Sequence, residues 1–279
     1  MTDVVDLNHL SFSALTTFQD CGERYRLTRV VKVPETSGWA RVGGSAFHTA
    51  SENLDKADFG VPTDGPIDFD AAFDLEIQKS EERYGPRAEW KASGRASKAW
   101  PEKEGERWWR ENGPLMLQRY RTWQRNAPLD IWIDPHGNPA IEIKVSFTLG
   151  TTPVEGYIDR VYQTRDTKPR LILVDLKTGR EPKGIDQLGI YRLGLRATLG
   201  VDVNLGSYYM AKEALSTPPA DLTVFDNGRL EYEFSQAFRL IKAGEFIPNR
   251  GMLCDHCGVR RYCSKVDGEE SKKYLPWAS

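Results

Sequence analysis

The sequence predicts an α/β fold in which a mixed central sheet carries helices on its faces. In the first half of the chain apolar residues recur with the 3.6-residue period of helices, and from about residue 141 they alternate with the period of strands. The second half then runs strand, strand, strand, helix and strand, an order typical of this layered architecture. With 279 residues, 39% of them apolar, the chain can bury the core of one large domain or of a domain with an insertion.

Two helices are predicted near the N-terminus. Ser11 or Ser13 can cap the first, which runs toward Cys21 and leaves this cysteine near a helix end. In the second helix, His48 and Glu52 lie four residues apart and therefore share a face. Two polar groups that can bind a metal ion thus point the same way.

The segment between about residues 55 and 135 is rich in Pro, Gly, Trp and charged residues, and we interpret it as an inserted helical lobe with helices near 69–84 and 103–126. Basic residues alternate there with tryptophans, a combination that can bind single-stranded nucleic acid. Glutamates balance this charge, so we expect most of the tryptophans to pack in a core and one or two to line a channel for a strand. These tryptophans are Trp90, Trp100, Trp108, Trp109 and Trp123.

The strands begin at about residue 141. We predict, in order, a hairpin of strands at 141–149 and 154–164, a strand at 171–176, a helix at 185–199, a strand at 205–211 and a helix at 231–243. The strand at 171–176 is mostly apolar, as strands in the centre of a sheet are.

The four cysteines are placed one plus three: Cys21 stands alone, and Cys254, Cys257 and Cys263 form a C-x2-C-x5-C cluster. No hydrophobic leader is recognised, so we expect a reducing, cytoplasmic setting, in which closely spaced thiolates bind metal more often than they form disulfides. The one-plus-three layout favours a 4Fe-4S cluster over zinc, which usually takes two short knuckles, and both stay open at this point. His256 is a weaker candidate ligand.

The predicted strands carry a second candidate site. Asp159 lies on the returning strand of the hairpin, and Asp175 and Lys177 lie two residues apart, hence on one face, at the end of the next strand. If these strands are neighbours, two carboxylates and an ammonium group converge, as needed to hold Mg2+ or Mn2+ and hydrolyse a phosphodiester. Alone, an Asp-x-Lys alternation is more often an ion pair at a wet edge. Gln187 and Tyr191, one helical turn apart, can face the same cleft.

Taken in order, these motifs resemble the RecB-like branch of the PD-(D/E)XK nucleases, in particular members with an iron–sulfur cluster such as AddB-type nuclease domains and CRISPR-adaptation exonucleases. The motifs are Gly44-x-x-x-His48, Gly156-x-x-Asp159-Arg160, Asp175-x-Lys177-Thr178-Gly179 and Gln187-x-x-x-Tyr191, bracketed by the cysteines. The resemblance covers most of the chain. It implies a restriction-endonuclease-like core, with an iron–sulfur site joining the N- and C-terminal segments.

The resemblance also implies a role for each matching residue. The expected ligands of the catalytic metal are His48, Asp159 and Asp175, and the expected catalytic residues are Asp159, Asp175 and Lys177. Gln187, Tyr191 and Arg160 are expected to contact DNA, and Cys21, Cys254, Cys257 and Cys263 to hold a 4Fe-4S cluster, with Zn2+ as the alternative. Because imidazole softens an otherwise oxygen-donor site, we expect Mn2+ to support activity better than Mg2+.

On this interpretation the chain has four segments: N-terminal helices (1–54), a helical insertion (55–135), a nuclease core (136–235) and an iron–sulfur segment (236–279). The expected function is that of a Mg2+- or Mn2+-dependent deoxyribonuclease, an exonuclease acting on single strands or DNA ends in recombination, repair or CRISPR-type DNA processing. A recombination or CRISPR-adaptation protein is the expected partner. The rivals are a non-catalytic DNA-binding scaffold of a helicase–nuclease or CRISPR-adaptation complex and a metal-dependent hydrolase of a small phosphate ester.

Composition argues against other classes of protein. The formal net charge of -2 does not suit a protein that coats nucleic acid without regard to sequence. No apolar run is long enough to predict a membrane span. The sequence also has no G-x-x-x-x-G-K-[ST] phosphate loop, so ATP-driven unwinding is not expected of this chain.

Overall fold

The computed structural model of the protein describes residue 5 and residues 7–94 and 102–275, so that Trp100 lies outside the described ranges. The chain divides into two compact units. The first is formed by 1–36, 146–156 and 227–279, and the second by 37–145 and 157–226.

Helices account for most of the first half of the chain. The helices of the described residues are α1 (Phe12–Asp20), α2 (Gly22–Tyr25), α3 (Trp39–Asp58), α4 (Phe69–Tyr84), α5 (Glu106–Asn126), α6 (Asp186–Leu199) and α7 (Arg229–Lys242). A π-helical turn, Arg26–Val30, extends α2. Within the described ranges, none of the helices combines the length and the apolar composition needed to cross a membrane.

The strands form one mixed sheet. They are β1 (Leu129–Ile131), β2 (Ile141–Leu149), β3 (Thr152–Thr164), β4 (Leu171–Lys177), β5 (Leu205–Met210), β6 (Leu215–Ser216) and β7 (Ala220–Asp221). β3 pairs with β1, β2 and β4, antiparallel to β1 and to β4. β4 and β5 are parallel and are joined by α6, the usual crossover for a parallel pair. The predicted α/β fold with a mixed sheet and flanking helices is therefore confirmed.

Each predicted helix and strand is present, with small differences at the ends. α3 is longer than predicted at both ends, and the short strands β1, β6 and β7 are absent from the prediction. The cap of α1 is the first of the two predicted serines: the hydroxyl of Ser11 accepts a hydrogen bond from the backbone N–H of Ala14.

A large hydrophobic core lies in the second unit. Helices α3, α4 and α5 contribute Phe47, Phe73 and Trp109 to it, and the sheet contributes Leu176 and Tyr209. Since α4 and α5 lie in the segment predicted as an inserted lobe, that segment shares its core with the sheet. Most of its tryptophans pack in a core, as expected. Trp90 and Trp109 are buried, and Trp108 and Trp123 pack half-buried against the core.

Candidate active site

The candidate active site lies where β3 and β4 run side by side in the second unit. The register pairs Arg160 with Val174, which brings Asp159 level with Asp175 on the neighbouring strand. At this point the carboxylate of Asp159 replaces a backbone acceptor, since its Oδ2 accepts a hydrogen bond from the N–H of Leu176 at 2.6 Å. The two strands are neighbours, so the two aspartates do come together.

His48 reaches the same place from α3. Its Nδ1 lies 3.6 Å from Oδ1 of Asp159. The helix can approach the end of β4 because Gly44, one turn earlier, has no side chain: a Cβ there would lie 3.0 Å from Oγ1 of Thr178. The Gly44-x-x-x-His48 spacing therefore has a physical reason, since the glycine permits the close approach that the histidine uses.

A third carboxylate, that of Glu142 on β2, completes a group that the sequence analysis missed. One ligand atom each from His48, Glu142 and Asp159 lies within 4.8 Å of the others, and no second group of three such side chains occurs in the described residues. Glu142 also has φ +48°. This left-handed conformation costs a non-glycine residue about 1–3 kcal/mol, and strained residues of this kind cluster at functional sites.

Lys177 is held by a chain of polar contacts. Its Nζ lies 2.6 Å from Oδ2 of Asp175 and donates a hydrogen bond to Oε1 of Gln187 at 2.9 Å. Nε2 of Gln187 in turn donates to the hydroxyl of Tyr191 at 2.7 Å. Gln187 and the largely buried Tyr191 thus position the lysine, and their predicted contact with DNA stays a prediction.

Crowded carboxylates give this site an unusual protonation behaviour. Burial, together with the charge of Asp159, raises the pKa of Asp175 to about 7, although Lys177 opposes the shift. Burial and Asp159 likewise raise the pKa of Glu142 to about 8, against the effect of Arg160. Acids that disfavour one another's charge in this way are stabilised as carboxylates by a cation placed between them.

The donor set fits a divalent cation. Oδ2 of Asp175 is buried and, despite its close contact with Lys177, has no hydrogen bond of good geometry among the described residues, so it has lone pairs to offer. With Glu142, Asp159 and His48 it supplies carboxylate oxygens and one imidazole nitrogen. Oxygen ligands together with one imidazole nitrogen suit a divalent cation.

Arg160 is placed differently from the prediction. Its side chain is 0% exposed, its Nε donates to Oδ2 of Asp55 at 2.7 Å, and its Nη1 lies 3.5 Å from Oε1 of Glu142. The predicted DNA contact is therefore corrected, because no guanidinium atom reaches the surface. Instead Arg160 neutralises buried acids and ties α3, which carries Asp55 and His48, to β3. Asp55, the buried partner of Arg160, is not among the predicted site residues.

Comparison with known proteins identifies the family. The sequence model of the PD-(D/E)XK nuclease superfamily matches residues 9–264. The chain belongs to this superfamily. Membership implies a metal-dependent nuclease, and a nuclease of this kind acts on DNA.

Similar proteins are found in mycobacterial phages. The Gene 69 protein of Mycobacterium phage D29 is 26% identical over 275 residues, which cover 91% of this chain and 95% of the phage protein. The Gene 69 protein of Mycobacterium phage L5 is 27% identical over 310 residues, covering 94% and 99% of the two chains. The crystal structure of SSO0001 covers 90% of this chain and 95% of its own at 14% identity, but its TM-score of 0.32 is too low to support an inference.

A cavity of about 760 Å³ lies next to the candidate active site. Residues 178–180, which directly follow Lys177, form one wall, and Lys212 forms another. The ammonium group of Lys212 lies 5.1 Å from the ring centre of Trp108 and 2.6 Å from Oε1 of Glu104. Cavities of roughly 300–1,000 Å³ are the size that binds small organic ligands, so this one has room for a nucleotide.

The cysteines belong to the first unit, in which the chain around Cys21 contacts residues 247 and 249. The N–H of Asn249 donates to the sulfur of Cys21 at 3.4 Å, and the N–H of Gly22 donates to the carbonyl of Ile247 at 2.8 Å. A Cβ at Gly22 would lie 2.6 Å from the backbone nitrogen of Ile247. This approach therefore requires glycine immediately after Cys21.

The other three cysteines lie in the C-terminal segment of the same unit. The sulfur of Cys254 accepts a hydrogen bond from the N–H of Gly251 at 3.5 Å, and Cys257 and Cys263 pack against a small apolar core. Burial raises the pKa of both Cys257 and Cys263, and the neighbouring thiols, Cys21 among them, add to the shift. All four thiols are free, and within the described ranges no three of them lie within 4.8 Å of one another.

Proposed function

We propose that this protein is a deoxyribonuclease of the RecB-like branch of the superfamily, which uses Mg2+ or Mn2+ and degrades DNA from an end. The observation that carries the proposal is the grouping of His48, Glu142 and Asp159 beside the Asp175–Lys177 pair. We place the activity in the cytoplasm, in DNA recombination, repair or CRISPR-type DNA processing, with a recombination or CRISPR-adaptation protein as partner.

The side chains of the site divide the chemistry between them. The proposed metal ligands are His48, Glu142, Asp159 and Asp175. A divalent cation held by these residues would lower the pKa of a water molecule and polarise the phosphate. Lys177, held by Asp175 and Gln187, places its positive charge beside the phosphate. There it stabilises the charge that builds on the phosphate oxygens as the water oxygen bonds to phosphorus and the opposite P–O bond breaks.

Cleavage of end-labelled single- and double-stranded DNA in the presence of Mg2+ or Mn2+ tests the proposal, with Asp175→Ala as the inactive control. We expect short products from the labelled end, and faster cleavage with Mn2+. Binding of DNA without any cleavage would favour a non-catalytic scaffold. Hydrolysis of small phosphate esters without DNA cleavage would favour the third class of function.

The cavity beside residues 178–180 has room for a nucleotide, and on this proposal it takes the nucleotide at the DNA end next to the cleaved bond. Arg180 is exposed on this wall and can contact a phosphate. We expect Arg180→Ala to weaken DNA binding about equally for all sequences. The slope of log affinity against log salt concentration should fall by roughly 0.7–0.9, the value for one phosphate contact.

Fluorescence anisotropy over a range of salt concentrations measures this slope, in an Asp175→Asn background that prevents cleavage. Arg170→Ala is the matched control, since Arg170 is also exposed but stands at the opposite end of β4. Equal slopes for the two arginine variants would contradict a phosphate contact by Arg180.

Glu142 is expected to bind the cation, and its raised pKa makes this testable. Because the pKa of Glu142 is about 8 and that of Asp175 about 7, the metal-free protein holds protons near pH 7 that must leave when a cation binds. Metal affinity should therefore rise between pH 6 and pH 8. Glu142→Gln should lower Mn2+ affinity by at least about tenfold and reduce the number of protons released.

Calorimetry of Mn2+ binding in two buffers of different ionisation enthalpy counts the released protons. Glu155→Gln, an acid on the same hairpin but outside the metal group, should behave as wild type. If Glu142→Gln released as many protons as wild type with the same affinity, Glu142 would not be a ligand.

We also propose that Cys21, Cys254, Cys257 and Cys263 bind a structural 4Fe-4S cluster. Support comes from their one-plus-three spacing and from the free state of all four thiols. In addition, two of the sulfurs accept hydrogen bonds from backbone N–H groups. Protein purified without oxygen should be brown and contain iron and sulfide. Colourless protein with stoichiometric zinc would favour the alternative, a zinc site.

A further inference from the structure

Close to the metal group, the hairpin of β2 and β3 carries an aromatic side chain for which the mechanism has no use. Tyr157 is 54% exposed, and it is the one exposed aromatic residue on the strands of the described ranges. Its side chain makes no hydrogen bond or ring contact with another described residue.

Single exposed aromatic residues are common on protein surfaces, so exposure alone does not indicate a function. The position of Tyr157 on β3 does indicate one. It lies two residues before Asp159 on β3, on the same face of the strand and about 7 Å along it. The backbone pairing of β3 with β4 runs as far as Arg160 and Val174, and beyond it the N–H of Leu176 is bonded by the side chain of Asp159. Tyr157 thus shares its face of β3 with a proposed metal ligand and lies two residues from it.

A basic residue stands opposite Tyr157 on the next strand. Two contacts fix the register of β2 against β3: the hydrogen bond from the N–H of Val161 to the carbonyl of Ala140, and the 3.4 Å contact between Ser146 Oγ and Glu155 Oε1. This register places Lys144 opposite Tyr157, and Lys144 is also exposed. An aromatic ring next to a cation on an open face is how proteins bind an unpaired base together with its phosphate.

We propose that Tyr157 stacks on an unpaired base of the DNA strand, next to the phosphate that is cleaved. This inference rests on the proposed function and specifies its substrate. A base inside a duplex has no free face for the ring, so the site would take single-stranded DNA or a frayed end. Lys144 would contact the phosphate of the stacked nucleotide.

Binding of single-stranded DNA by Tyr157 variants, in the Asp175→Asn background, tests the proposal. Tyr157→Ala should weaken binding between about fivefold and about 150-fold, the range for loss of one stacked base. Tyr157→Phe should restore most of the affinity because it keeps the ring. Tyr232→Ala, at an exposed tyrosine on α7 that is 67% exposed, is the matched control and should bind as the parent does.

DNA with a single abasic position identifies the stacked base. The abasic position is moved along the strand, one nucleotide at a time. At one position the parent protein should lose affinity for the DNA, and at that position the affinity of Tyr157→Ala should not fall below its value for intact DNA. Equal binding by Tyr157→Ala and its parent would overturn the inference, as would a failure of Tyr157→Phe to restore binding. If wild type cleaves DNA in either case, the proposed function survives; absence of both binding and cleavage in wild type would instead remove the proposed function.

Discussion

Replacement of Asp175 by asparagine should abolish DNA cleavage while leaving the fold intact. Asp175 is 2% exposed, level with Asp159, and 2.6 Å from Nζ of Lys177. Asparagine keeps the shape of the side chain but removes the charge that holds the lysine and that we propose binds the cation. Loss of one preorganised electrostatic group costs about 10²–10³ in rate. Since Asp175 acts on both the cation and Lys177, we expect a loss of at least about 10³-fold.

Although the Asp175→Asn variant should lose activity, it should not lose stability when metal is absent. In the metal-free protein the pKa of Asp175 is raised to about 7. The folded state therefore binds this proton more tightly than the unfolded chain, and stability falls as the pH rises from about 4 through 7. Asp175→Asn removes this penalty, so at pH 8 without metal its melting temperature should be no lower than that of wild type. Mn2+ should raise the melting temperature of wild type more than that of the variant.

Asp130→Asn is the matched control for both measurements. Asp130 is also a strand aspartate with a basic partner, 2.8 Å from Arg165, but it is exposed on β1. This variant should cleave DNA at the wild-type rate. An Asp175→Asn protein that is fully active would refute the assignment of the active site.

The sheet was predictable because its signals are local. The alternation of apolar residues in β2, β3 and β4 and the turn between the first two are written in consecutive residues. Hairpin strands must be neighbours, and their pairing with β4 then brings Asp159 beside Asp175. For this reason the aspartates and Lys177 could be found from the sequence.

Glu142 and Arg160 show how the same signals could have been taken further. β2 ends at Leu149 and β3 begins at Thr152, so the pairing places Glu142 opposite Asp159. Neighbouring strand residues point to opposite faces. The side chain of Arg160 therefore has to point away from the face of Asp159, toward Asp55 on α3. The spacing of the motif identifies Arg160 as a candidate, but it does not show on which face of the sheet the side chain of Arg160 lies.

Asp55 could not be found in this way. Its partner Arg160 is 105 positions away in sequence, and the pairing depends on how α3 packs against the sheet. A carboxylate at this point of a helix would normally be assigned to solvent, since an unpaired buried charge is costly. Only the packed structure shows that the partner is present.

Replacement of Cys257 by serine should remove the proposed cluster and loosen the first unit. Cys257 packs against the small apolar core that includes Leu27 and Val259. Ligand binding to a site that exists only in the folded state adds directly to stability, so loss of the cluster should destabilise the segments it connects. We expect Cys257→Ser to lose iron and sulfide. Limited proteolysis should then cut first within 1–36 and 227–279, while the core of 37–145 resists.

Val259→Ala separates ligand loss from packing loss. This variant removes two methyl groups from the same small core without touching a thiol, which should cost about 1–3 kcal/mol of unfolding free energy while the iron content stays at the wild-type level. If the cysteines only fill space, the two variants should lower the melting temperature alike and neither preparation would contain iron. If they bind the cluster, only Cys257→Ser loses iron, and its unfolding becomes independent of whether the protein was prepared without oxygen.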